Sequence, residues 1–116
     1  MPKIEYSTRL AYPPTDTRRI DPVESSPDNY KVLLENEHVR MLEMIVPAGG
    51  SDNKHSHPDE TVYFITGGKT SIVDENGDTM EAELPGGATK WHPAWTHQVT
   101  NTGDTEIRAF IVDSKK

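Results

Sequence analysis

The chain has 116 residues, a formal charge of −7, a pI near 5.1, 33% hydrophobic residues and no cysteine. That length suits one domain, which buries roughly two-thirds of the surface its unfolded chain would expose, and the acidity argues against a phosphate backbone or an anionic membrane as partner. Without cysteine there is no disulfide framework and no thiolate, so any bound metal must be held by histidine and carboxylate.

Residues 1–29 are mostly polar, and Pro13, Pro14, Pro22 and Pro27 interrupt any regular pattern. They are expected to form an irregular N-terminal arm ahead of a domain over residues 30–116. The arm is expected to lie on the body of its own domain; the alternative is that part of it adds a strand to a partner subunit's sheet edge, for which Ile4-Glu5-Tyr6-Ser7 is the best-suited stretch. Met1 to Glu5 has no apolar core of the kind a signal peptide needs, and nothing approaches the length of a transmembrane helix. Cytoplasmic is the expected location.

From Tyr30 the pattern changes. Tyr30–Glu35 and Val39–Val46 read as consecutive strands around Asn36-Glu37-His38, with His38 solvated at the turn. In the second run Val39, Met41 and Ile45 fall on one face and Leu42, Met44 and Val46 on the other, so both faces are expected to be covered. A Pro47–Lys54 loop delivers the chain to His55-Ser56-His57-Pro58-Asp59-Glu60. Thr61–Thr66 is the strongest strand and stops at Gly67-Gly68. Lys69–Asp74 and Thr79–Leu84 flank Asn76-Gly77, a strong hairpin signal. A short strand through Trp91-His92, a corner at Pro93–Thr96, a strand over His97–Thr100 and a last one over Glu106–Asp113 complete the chain. About nine short strands with Gly, Pro and Asn turns predict an antiparallel all-β sandwich or jelly-roll barrel.

His55 and His57, one residue apart, project from one face of a strand, and His97 lies in another strand-like run. Imidazole and carboxylate together are the ligand set for Zn, Mn, Fe, Ni or Cu.

These residues resemble the cupins, whose fold is a double-stranded β-helix, a jelly-roll barrel with a metal inside. Gly49, His55, His57, Glu60 and Gly67 follow the order of the first cupin motif, although only Pro58 and Asp59 separate His57 from Glu60 where the motif has three or four residues. Gly87, Pro93, His97 and Asn101 follow the second, with Trp95 in place of its glycine and a corner one residue tighter. Tyr30-Lys31-Val32, Val39–Glu43, Trp91–Ala94 and Asn101–Thr105 are similar to a group of small bacterial single-domain cupins, some of them labelled β-alanine-degradation proteins.

The resemblance implies one divalent transition metal ion (Mn, Fe, Ni or Zn) held by His55, His57, His97 and Glu60. The shortened turn leaves open whether Glu60 reaches the ion or faces solvent beside Asp59; off the ion, it is the candidate catalytic general base. Tyr63, Phe64, Trp91 and Trp95 are candidates for an aromatic pocket wall, with Trp95 at its mouth. Trp91 and His92 have opposite strand parity, and Trp91 is the expected pocket residue, with His92 on the surface or at an interface. The leading function is a metal-dependent protein acting on a small polar molecule by Lewis-acid or dioxygen chemistry, as a dioxygenase, isomerase or lyase. A non-catalytic metal-dependent binding protein and a metal-free structural dimer are the rivals. Small cupins pair through their sheets, so a homodimer is expected.

Overall fold

A computed structural model describes residues 20–115; the Ile4–Ser7 stretch and the rest of residues 1–19 lie outside them. The described chain is all-β apart from one helical turn, α1 (Pro22–Ser25), whose N-cap Asp21 accepts from the Val23 amide and whose first position is proline. Nine strands follow: β1 (Tyr30–Glu35), β2 (Val39–Val46), β3 (His55–His57), β4 (Glu60–Thr66), β5 (Gly68–Asp74), β6 (Thr79–Leu84), β7 (Thr89–His92), β8 (Trp95–Asn101) and β9 (Ile107–Ser114). They build two antiparallel sheets, ordered β1-β2-β9-β4-β7 and β3-β8-β5-β6, which face each other as a jelly-roll sandwich.

The core follows from strand parity. Leu42, Met44 and Val46 of β2 point inward and meet Ile107, Ala109 and Ile111 of β9 and Val62 and Phe64 of β4 in one buried cluster. On the outer face of β2, Val39, Met41 and Ile45 are half-buried. Gly67 is needed where β4 passes to β5, because a Cβ there would overlap the Leu84 carbonyl oxygen. At the β5–β6 hairpin, which the Asn-Gly pair signals in the sequence, Gly77 takes φ +84°, and the Asp74 carboxylate accepts from the Asn76 and Asp78 amides.

One difference from the sequence reading and one set of contacts bear on the site. The tight corner shrinks to Pro93-Ala94, because Trp95 already belongs to β8. The end of the expected arm is ordered against its own domain: Ile20 exchanges backbone and side-chain hydrogen bonds with Ser56 on the outer edge of β3, and Asp21 pairs with Arg40 at 2.9 Å.

Candidate metal centre

The register of β3 against β8 assembles the histidines. His55 lies directly across from His97, and His57 across from Trp95. Directly opposed residues share a face, so all four point into the sandwich. Ring centroids are 4.8 Å apart for His55 and His57, 4.7 Å for His55 and His97, and 5.6 Å for His57 and His97. One ring nitrogen from each of these three histidines falls within 4.8 Å of the others.

Hydrogen bonds hold two of the three rings. His55 Nδ1 donates to the Asn53 carbonyl at 2.8 Å, since a carbonyl only accepts, which makes Nε2 the nitrogen that carries the lone pair. His57 Nδ1 meets the Asp113 carboxylate at 3.0 Å, which fixes the orientation of that ring. Both ring nitrogens of His97 are buried and meet no hydrogen-bond partner. A buried imidazole without a partner is costly, and an ion shared with His55 and His57 would satisfy one of the two nitrogens. The three histidines therefore fit a divalent transition metal by donor type, tautomer and unsatisfied valence.

Glu60 sits elsewhere than with these three. Pro58 and Asp59 carry the chain from one sheet to the other in two residues, so Glu60 opens β4 directly across from Asp113 of β9 and His92 of β7. Its carboxylate groups with Asp113 about His57 Nδ1, 3.9 Å away, and Oε2 accepts from Trp95 Nε1 at 2.6 Å. It is buried, at 3% exposure, so the solvent-facing alternative is corrected.

A second buried pair backs His55. The Tyr30 hydroxyl donates to Asp52 at 2.7 Å and lies 3.2 Å from His55 Nε2, while Asp52 also accepts from the Val99 amide.

Burial and charge divide the histidines. Burial, reinforced by the positive charge of His57, lowers His55 to about 3 and carries His97 well below its ordinary value. Burial opposes charge on His57 too, but Glu60 and Asp113 outweigh it and raise His57 to about 9. Burial raises Glu60, and raises Asp52 to about 6.

The expected aromatic wall is partly corrected. Phe64 and Trp95 line the interior cavity. Tyr63 neighbours Phe64 in β4, points to the opposite face and is 46% exposed. Trp91 pairs with outward-facing Thr61 and is 62% exposed, reaching only the rim. His92 takes the inward place across from Glu60 and stacks on Trp95 with centroids 3.6 Å apart, the reverse of the expected order. Asp113, Asp52 and Tyr30 were not singled out from sequence. For Asp113 a signal existed, since it continues the inward parity of Ile107, Ala109 and Ile111.

Comparison with solved structures gives the same architecture. A cupin-domain protein from Bordetella pertussis superposes with a TM-score of 0.69 at 28% identity, over 75% of this chain and 92% of that one. A cupin family protein with a double-stranded β-helix fold from Methanocaldococcus jannaschii gives 0.60 at 16% identity, over 92% and 90%. A predicted oxalate decarboxylase from Thermotoga maritima gives 0.56 at 21% identity, over 75% and 79%. No protein-family model and no curated protein matches the sequence.

Proposed function

We propose that this chain, which has the cupin double-stranded β-helix fold, is a metal-dependent protein that holds one divalent Mn, Fe, Ni or Zn ion on His55, His57 and His97 and acts there on a small molecule. The observation that carries the reading is the pair of partnerless nitrogens on buried His97, facing two histidines whose outer nitrogens are already engaged. When bound, such an ion supplies Lewis acidity or, as Fe(II), dioxygen chemistry.

The chain's own groups supply the remainder. Asp113 orients His57, Asn53 orients His55, and the Trp95 indole fixes Glu60 at the cavity wall. Glu60, its carboxyl raised by burial, is suited to hold and return a proton at Oε1, the oxygen that Trp95 leaves uncommitted. It is the catalytic general acid-base of this reading, and dioxygenase, isomerase and lyase chemistry all remain within it. A non-catalytic binding protein is the second reading. It is favoured by the mainly apolar walls of the cavity, among them Met44, Val62, Phe64, Ile72, Val99 and Ile111, and it predicts saturable binding with the ligand released unchanged.

A homodimer belongs to the same proposal. Strand register lines up Leu34, Met41, Val112, Thr61 and Trp91 across the outer face of the five-stranded sheet, a row apolar at all but Thr61 and suited to a second copy.

The test is metal analysis of untagged protein. Wild type is expected to carry about one ion per chain, and His97→Ala to lose it. Wild-type protein that stays empty after reconstitution with each of the four metals would overturn the reading.

A further inference from the structure

The cavity beside the three histidines has a volume of about 260 Å³. Protein interiors are close-packed, so an unfilled space of this size at the centre of a small sandwich is ligand volume rather than loose core. Its walls are apolar: Met44, Val62, Phe64, Ile72, Val99 and Ile111 supply them from both sheets. Polar groups reach it at the histidine end, from His57, His97, Glu60 and Tyr30, and along β7, from Lys90 and His92.

The strand order shows where the cavity opens. β7 ends one sheet and β6 ends the other, and Lys90 and His92 of β7 face Met80, Ala82 and Leu84 of β6 along the lining. The residues of β6 alternate, with Met80, Ala82 and Leu84 toward the cavity and Thr79, Glu81 and Glu83 away from it. Met80 lines the cavity and yet is 47% exposed, as a residue at an open lip must be.

We infer that the ligand has an apolar body, the size of a single ring or a branched aliphatic chain, and one oxygen-donor head such as a carboxylate, and that it enters between β6 and β7 head first. An apolar cavity of about 150 Å³ is enough to take benzene, so 260 Å³ accommodates a ring with a short polar substituent. A small dicarboxylate, the kind of substrate named for the Thermotoga maritima neighbour, would occupy the polar head alone and leave the walls of Met44, Val62, Phe64, Ile72, Val99 and Ile111 without a partner surface. The small polar molecule expected from the sequence is thus polar at its head alone. Lys90, exposed at the mouth, is placed to draw in an anionic head.

The inference rests on the metal reading for the head but not for the body, and the experiment separates the two. Toluene, which has no head, is titrated into metal-free protein and followed by the NMR signal of the Trp95 indole N–H. Phenylacetate, acetate and oxalate are titrated into Co(II)-loaded protein and followed by its visible spectrum.

Toluene is expected to shift the indole signal saturably. Phenylacetate is expected to bind roughly tenfold or more tightly than acetate, because its ring leaves water. Ala82→Phe should fill the chamber and abolish both the toluene response and the phenylacetate advantage while acetate still binds; Ala82→Leu, a smaller change, should reduce them and serves if the phenylalanine variant does not fold. Metal-loaded protein that binds oxalate most tightly, or phenylacetate no better than acetate, would overturn the inference and leave the metal reading standing. Protein that takes toluene but no metal would overturn the metal reading and support the apolar chamber.

Discussion

The two ends of the sandwich interior are built from the same strands under opposite rules. At the apolar end, inward positions of β2, β4 and β9 carry Leu42, Val62, Phe64 and Ile111, and any side chain of similar shape would serve. At the polar end, the same inward rows continue as Glu60 and Asp113, and β3 and β8 add His55, His57 and His97. Almost every polar atom there depends on a specified partner, and the exceptions are the two nitrogens of His97. The apolar end thus supplies free energy of folding, whereas the polar end spends some of it to hold three imidazoles and three carboxylates out of water.

The strongest way to break this contrast is Leu42→Ala. Leu42 is fully buried in the core cluster and lies outside the cavity lining, so its truncation is expected to cost about 2–5 kcal/mol in urea unfolding. Metal uptake, measured well below the unfolding midpoint, should stay at the wild-type stoichiometry. Loss of the metal in parallel with stability would mean that the two ends are one cooperative unit.

The apolar end was the more legible in the sequence. Strand parity identifies Leu42, Met44 and Val46 as one face, and β1, β2 and β6 begin and end where the runs of residues suggest. Parity also bears on the aromatic residues: Tyr63 and Phe64 are adjacent in β4 and cannot both face inward. For Trp91 and His92, parity says that they diverge but not which one enters. That depends on the register of β7 against β4, which puts His92 across from Glu60.

The polar end was legible through the spacing of its histidines and much less through its carboxylates. His57 and Asp113 are 56 residues apart, and only the completed order β2-β9-β4 brings them together. Glu60 was recognised, but its place behind His57 depends on a two-residue crossing between sheets. Sequence spacing records the length of that crossing and not its direction.

Asp113→Asn sharpens the contrast from the polar side. The carboxylate holds His57 Nδ1 at 3.0 Å and so fixes the orientation of the ring. Removing its charge while keeping its shape is expected to weaken metal affinity by about 10–100-fold, the usual effect of a group that orients a ligand, with a much smaller change in unfolding free energy. Competition against a chelator of known affinity reads the first, and urea unfolding of the metal-free protein reads the second. Unchanged affinity would show that His57 is oriented by packing alone.

The smallest expected effect is a pH dependence, and its sign is distinctive. In the folded metal-free protein His57 titrates at about 9, held up against its burial by Glu60 and Asp113, whereas in the unfolded chain it titrates near 6.5. The folded state therefore keeps a proton that the unfolded state loses. This contribution is fully present below about pH 6.5 and is lost as pH rises through about 9. Glu60, raised by burial, acts in the same sense. His55, lowered to about 3, is neutral in the fold and destabilises only as pH falls below 6.5, outside this window. Urea unfolding of metal-free protein between about pH 7 and pH 9 should thus show stability falling by on the order of 1–2 kcal/mol. Asp113→Asn should flatten the fall, because it removes one of the three charges, Glu60, Asp113 and Asp52, that hold the proton. A wild-type curve that is level or rises over this range would mean that His57 is neutral in the fold, and that its carboxylates orient the ring without charging it.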